Sequence, residues 1–267
     1  MANRPNLKGA PYRLRNSMIV TDADGSAPGR LVGRGGDLVE LFFHDFVTGE
    51  TPATEADSPF ILNSGGDAQA IDPAHDVTQG IGVYQCVTGN ADGTVANDGS
   101  QFVVRAPFQL DSLGGDTLVA CRLRLVSAIT SLSVNFGLTD NQALEEPFAV
   151  ATATVTSTAT DAACFCFDDG ATLKEWYGLA VDGDTEDTGN ASTGVGPVAD
   201  TFQVLEMLIS NDGADVHYYI DGNLLLSLTG AAGVGPDVAL YATVIANATT
   251  TTSRTVDVDW IGAWAVR

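Results

Sequence analysis

The sequence predicts an all-β protein, an antiparallel β-sandwich preceded by an extended N-terminal arm. Three observations carry that prediction. Residues 202–230 (FQVLEMLISNDGADVHYYIDGNLLLSLTG) hold three strand-like runs separated by two turns whose chemistry can be named. Strand-like runs recur through most of the chain at roughly 8- to 15-residue spacing, with turn residues between them. The composition, 45% hydrophobic and 17% charged with 29 Gly, suits strands and tight turns, and no helical run of convincing length appears.

In chain order, the first 36 residues are broken by Pro5, Pro11 and Pro28 around short apolar pieces such as Met18-Ile19-Val20, and they read as an extended arm. Residues 1–34 hold Arg4, Lys8, Arg13, Arg15, Arg30 and Arg34 against Asp22 and Asp24, a balance of +4 that leaves −26 of the total −22 for the rest. A basic arm (1–36) therefore precedes an acidic sandwich (37–267). Such an arm suits docking on an acidic surface of another protein, or it is a poorly ordered terminus.

Residues 38–47 (LVELFFHDFV) form the first strong apolar run, and residues 80–88 (GIGVYQCVT) a further strand. Residues 90–100 (NADGTVANDGS) read as an acidic, glycine-rich turn region. From Gln101 the pattern is regular: QFVVRAPFQL, TLVACRLRLV and SLSVNFGLTD follow one another. In the second, Leu118, Ala120, Arg122 and Arg124 alternate with Val119, Cys121, Leu123 and Leu125, so one face is apolar and the other turns basic. Residues 141–146 (NQALEE) hold the one plausible helical turn. FAVATATVTS, AACFCFDD and EWYGLAV come next, and then the loop of residues 182–197.

In the 202–230 stretch Gln203, Leu205, Met207 and Ile209 share the more apolar face of the first run. Asn211-Asp212-Gly213 and Asp221-Gly222 tolerate the positive φ that hairpin turns need. A meander with one apolar face must pack on a second layer, which predicts two packed sheets. VALYATVIANA and RTVDVDWIGAWAVR supply the last strands.

Charge and hydropathy exclude several classes of partner. A net charge of −22 makes nucleic acid and anionic membranes poor partners, and no apolar run reaches membrane-spanning length. The first residues lack the apolar core of a signal peptide, so the chain is expected to begin in a cytoplasm. Cys86, Cys121, Cys164 and Cys166 show no metal-ligand spacing and read as reduced, buried residues.

In their order along the chain, APFQLDSLGGDTLVACRLRLVSAITSLSVNFGLTD, CFCFDDG with EWYGLAV, VLEMLISNDGADVHYYIDGNLLLSL and VDVDWIGAWAVR together resemble the concanavalin A-like lectin/glucanase jelly roll. The resemblance spans roughly residues 80–267 and is to the form this fold takes in bacteriophage structural proteins. It implies a virion component assembled in the host cytoplasm, foremost a capsid decoration (cement) protein bound to the major capsid protein or other virion proteins. A homo-oligomer, for instance a trimer, is expected. The alternative is a glycan-binding tail or fibre protein that contacts the host surface.

The glucanases of this fold resemble one another in a Glu-x-Asp-x-x-Glu strand, and retaining hydrolysis needs its two carboxyl groups about 5 to 5.5 Å apart. This chain lacks the motif. Glu55-Ala56-Asp57 lies in a Pro-rich loop, and the adjacent Glu145 and Glu146 are expected to point apart. His44, His75 and His217 accompany no nucleophile motif, and His217 reads as an ordinary strand residue. The chain therefore reads as non-enzymatic.

Calcium would want several oxygens on one loop, and Asp182, Asp184 and Glu186 in DGDTED are the densest acids, although Asp187 stands where an EF-hand loop needs glycine. No cofactor is otherwise expected. Asp168 and Asp169 end a strand where lectins of the resembled fold carry calcium ligands, but the accompanying spacing is missing. Trp176 and Tyr177, beside the acidic loop, are the candidates for stacking on a sugar.

Overall fold

The computed structural model describes residues 38–45, 60–67, 72–76, 81–113, 115–186, 191–230 and 233–266. The arm residues Arg4, Lys8, Arg13, Arg15, Arg30 and Arg34 lie outside them. The strands run in chain order as β1 (Leu38–Asp45), β2 (Phe60–Ser64), β3 (Asp72–Asp76), β4 (Ile81–Val87) and β5 (Gly99–Val104). They continue as β6 (Asp116–Val126), β7 (Leu132–Thr139), β8 (Phe148–Ala151), β9 (Thr154–Ser157), β10 (Ala162–Asp168), β11 (Tyr177–Asp182) and β12 (Thr185–Glu186). The last are β13 (Gln203–Ile209), β14 (Val216–Ile220), β15 (Asn223–Leu228), β16 (Tyr241–Ala248) and β17 (Thr255–Val266).

Among the described residues two large sheets and a separate two-stranded sheet, β8-β9, result, and the strands in each pair antiparallel. One large sheet has the order β15-β14-β13-β6-β17-β4-β3, with β1 also paired to β17, and the other the order β12-β11-β10-β7-β16-β5-β2. This is the predicted all-β antiparallel sandwich.

Period-two alternation assigns the faces. Val119, Cys121, Leu123 and Leu125 of β6 meet Val134, Phe136 and Leu138 of β7 in the core between the sheets. Phe136 and Phe165 stack at 6.4 Å, and Phe165 meets Tyr218 edge-on at 5.1 Å. Aromatic pairs of this kind add about 1 kcal/mol beyond their area. The basic side of β6 faces outward: Arg122 and Arg124 pair with Asp259 (2.5 Å) and Asp257 (2.7 Å) of the neighbouring β17. Both guanidinium groups also lie over the Phe202 ring, at 4.4 and 4.7 Å.

The meander β13-β14-β15 forms as its turns dictate. Asp221 (φ 50°) and Gly222 (φ 77°) sit between the paired Ile220 and Asn223, a type I′ turn that matches the strand twist. The Asn-Asp-Gly turn is looser than a two-residue hairpin. Its strand pairing ends at Ile209 and Val216, and Asp212 ties the loop by accepting from Ser210 Oγ (2.6 Å) and Ala214 N (3.2 Å). The 90–100 turn region contains a one-turn helix, α1 (Val95–Asp98). The buried Asp98 carboxylate organises this loop by accepting the N–H groups of Ala91 (2.7 Å), Asp92 (3.0 Å) and Gly93. No described helix is long and apolar enough to cross a membrane.

Candidate functional site

The outer face of the seven-stranded sheet carries a polar strip on β7 and β16. On β7 the residues alternating with the core Val134 and Phe136 are Ser133 and Asn135, and on β16 Thr243 and Asn247 alternate with Val244 and Ala246. Register sets these side by side. Ser133 lies between Asn247 of β16 and Asp168 of β10, and Asn135 lies between Ile245 and Cys166. Directly opposed residues on one face stand about 5 Å apart, so Asn247, Ser133 and Asp168 form one polar row.

Two pieces of chain roof this face. The β8-β9 hairpin covers the β10-β11 side, where Phe148 and Val150 pack on Cys164, Cys166, Tyr177 and Leu179 in a second core. Residues 140–147 form a strap over the other side. The predicted helical turn in NQALEE does not form. Asn141 instead donates to Glu145 (2.6 Å) and accepts from Ala143 N (2.9 Å), the local side-chain bonding with which Asn competes against helix.

The strap is pinned at several points. Gln142 O accepts from Asn63 Nδ2 of β2 (2.7 Å), and Leu144 lies against Gly99 of β5. At its far end the Glu146 carboxylate accepts from Ser133 Oγ and from Asn247 Nδ2 (3.1 Å). The adjacent Glu145 and Glu146 thus bond in different directions. Beyond the strap, Asn135 Nδ2 donates to Phe148 O (3.0 Å). A second chain of bonds runs from Asn63 through Gln101 to Thr243, at 3.1 Å in each step.

Donors run short here. Asn135 Oδ1, Asp140 Oδ1, Glu145 Oε1 and Asn247 Oδ1 are closed off from bulk solvent, and no donor of the described residues reaches them. A buried acceptor left without a partner costs about 1 to 3 kcal/mol, so the four spread along the strap and the face below it make a demand for donors. The electrostatics agree. Burial raises the Asp140 and Glu145 carboxyls, against the opposing effect of backbone N–H groups at Asp140 and of the Asn141 amide at Glu145, and neighbouring acids push each further. Glu146 is pushed up to about 7, first by burial and then by Asp168, against the opposing effect of its Ser133 and Asn247 hydrogen bonds.

The residues expected to act fall elsewhere. Trp176 is fully buried in the main core, its Nε1 donating to Gln203 (3.0 Å), so it offers no face to a sugar. Tyr177 is buried beneath the β8-β9 hairpin with its hydroxyl donating to Leu173 O (3.4 Å). The stacking expectation is corrected for both: the strand is covered on each side.

Asp182 and Asp184 are exposed on the β11-β12 hairpin, where Gly183 (φ 54°) and Asp184 (φ 63°) make the turn. The side chain of Glu186 lies outside the described residues. Turn geometry accounts for Asp184, and among the described residues no group of three His, Cys, Asp or Glu side chains could hold a metal. Asp168 accepts from Val150 N (3.0 Å) and Gly170 N (2.7 Å), and Asp169 pairs with Lys174 (3.1 Å). His217 is a strand residue hydrogen-bonded through Nδ1 to Ser227 Oγ (2.9 Å). All four cysteines are free and buried.

Sequence reasoning passed over Ser133, Asn135 and Asn247, and weighed Glu146 only as a partner of Glu145. The signal was present in SLSVNFGLTD, where polar residues alternate with Val and Phe on a strand.

No family model matches the chain, and no curated protein matches it in sequence. Solved structures do match in shape. The Emp47p carbohydrate recognition domain aligns with a TM-score of 0.55 at 10% identity, over 85% of this chain and 96% of that one. A chain solved in work on endo-acting O-glycanases by which human gut microbiota initiate mucin breakdown aligns with a TM-score of 0.56 at 11% identity, over 86% and 100%. An endo-β-1,4-glucuronan lyase from the fungus Trichoderma reesei aligns with a TM-score of 0.51 at 10% identity, over 85% and 96%. Likeness spread over 442 solved chains identifies a fold, the jelly roll of carbohydrate recognition domains and glycan-active enzymes, and not one activity.

This overturns the reading of the chain as non-enzymatic. A lyase is built on the same fold, so absence of one glucanase motif does not exclude catalysis. Identities of 10 to 11% carry no activity over to this chain either.

Proposed function

We propose that this protein is a glycan-binding module whose contact surface is the strap of residues 140–147 and the sheet face it crosses. The single observation that carries the reading is the set of donor-less oxygens on Asn135, Asp140, Glu145 and Asn247, because sugar hydroxyls supply donors. Asp140, Asn141, Gln142 and Glu145 are half-exposed on the same strap. The shape likeness to a carbohydrate recognition domain supports the reading at the level of fold. On a glycan microarray the full chain is expected to give discrete signals that fall at least tenfold in Asp140→Ala and Glu145→Ala. A blank array for the folded wild-type protein would sink the proposal.

A second reading rests on the uneven charge, +4 over residues 1–34 against −26 for the rest. In it the module is a virion part, a capsid decoration or tail protein, held as an oligomer to the major capsid protein or a neighbour by the basic arm. The fold likeness favours the glycan reading over decoration alone. Co-sedimentation with purified capsids, lost on deleting residues 1–36, is the expected result; unchanged co-sedimentation would remove the arm's role.

A further inference from the structure

Resting on the glycan-binding reading, we infer that the ligand is an uncharged, hydroxyl-rich glycan and that the strap rejects chains bearing uronate, sialate or sulfate. The groups that would meet the ligand are acceptors. Asn135 and Asn247 are buried, and each has its amide nitrogen committed, to Phe148 O and to Glu146, while its oxygen has no donor. Asp140 and Glu145 each add a carboxylate oxygen in the same condition. Carboxylates, sulfates and phosphates offer further acceptors and no donors, whereas each sugar hydroxyl brings one donor.

Charge points the same way. An anionic glycan is ordinarily held by Arg or Lys, often through two parallel bonds. Between residues 35 and 266 the chain has only Arg105, Arg122, Arg124, Lys174 and Arg254 as its cations. Arg122 and Arg124 are committed to Asp259 and Asp257 on the other sheet. Lys174 pairs with Asp169, and Arg254 donates to Thr130 O (2.6 Å). Arg105 lies past the end of β5, where it reaches Phe60 O. The bonds described for these cations all lie off the strap.

The strap itself contributes Asp140, Glu145 and Glu146, with Asp168 in the row beneath. A polyanion arriving there meets like charges within a Debye length of about 8 Å, and among the described residues no Arg or Lys is bonded to the strap to offset them. The four orphan oxygens are enclosed, so a sugar reaches them only where the strap lifts and its bonds to Asn63, Ser133 and Asn247 are exchanged for bonds to sugar hydroxyls.

The test is titration calorimetry of the full-length protein in about 0.15 M salt. The neutral probes are cellohexaose, mannohexaose, xylohexaose and laminarihexaose, and the anionic probes are hexagalacturonate, hyaluronate and chondroitin sulfate hexasaccharides. The expected result is binding confined to neutral probes, weakened at least tenfold in Asp140→Asn and Glu145→Gln while near-UV circular dichroism stays unchanged. Tighter binding of any anionic probe overturns this inference and leaves the glycan reading standing. Neutral binding untouched in both variants moves the site off the strap and also overturns it. Absence of binding to either series removes the glycan reading, and the inference with it.

Discussion

Glu146 shows how one side chain can join fold and pH. As a carboxylate it accepts from Ser133 and Asn247 beside Asp168, and burial pushes it up to about 7 from its ordinary 4.5. The Asn247 amide faces it with its nitrogen while the amide oxygen lacks a donor. A protonated Glu146 turns that around, since its O–H can donate to the Asn247 oxygen once the amide flips. The sign follows. The folded state binds the proton more tightly than the unfolded chain, so stability is highest below about pH 4.5 for this group and falls as pH rises to about 7. The loss is on the order of 3 kcal/mol. Urea melts between pH 5 and 8 should show that decline, and Glu146→Gln, which can donate to the flipped Asn247, should flatten it. An equal slope in the variant would show that the dependence belongs to other acids. The same scale explains the failure at Tyr177. Alternation tells which residues share a face, but whether a face is wet depends on what lies over it, and here β8-β9 encloses the outer side.

At the scale of elements, the parts legible in the sequence are those whose causes are local. The β14-β15 turn is written in Asp221-Gly222, and the inward set Leu205, Met207 and Ile209 in simple alternation. The mixed face of β6 is legible as alternation, but the carboxylates that Arg122 and Arg124 pair with come from distant β17, Asp257 opposite Arg124 and Asp259 at a bulge. Pairings distant in sequence were not legible. β7 sits between β10 and β16, strands 23 and more residues further on, and nothing in SLSVNFGLTD names them. Gly137 illustrates the difference. Its φ is unremarkable, yet a Cβ there would stand 2.1 Å from Ala163 O on the neighbouring strand, so only the assembled sheet explains the residue. The strap was misread for a related reason. NQALEE has helix-forming residues, but Asn141 captures Ala143 N and Glu145 by side-chain bonds, and the tertiary contacts of Gln142, Leu144 and Glu146 with the sheet complete its shape.

For the whole molecule the dominant fact is a charge of −22, and its consequence is a stability that rises with salt. Among the described residues the ion pairs that oppose this repulsion are Arg122 with Asp259, Arg124 with Asp257 and Lys174 with Asp169. The Lys174 pair is exposed and worth little, about 0 to 1 kcal/mol. The two Arg pairs are partly buried and hydrogen-bonded, so salt screens them poorly, whereas the repulsion among surface carboxylates acts through water and is screened well. Raising salt from about 0.02 M to 0.2 M shortens the Debye length from roughly 20 Å to 7 Å and should remove most of that repulsion. The expected outcome at fixed pH is a Tm higher by a few degrees in sodium chloride, with potassium chloride giving the same shift because screening does not depend on which monovalent cation is present. A fall in Tm would mean that the attraction in the Arg pairs outweighs the repulsion of the acidic surface. A rise seen with one cation alone would point instead to a specific ion bound by the folded state.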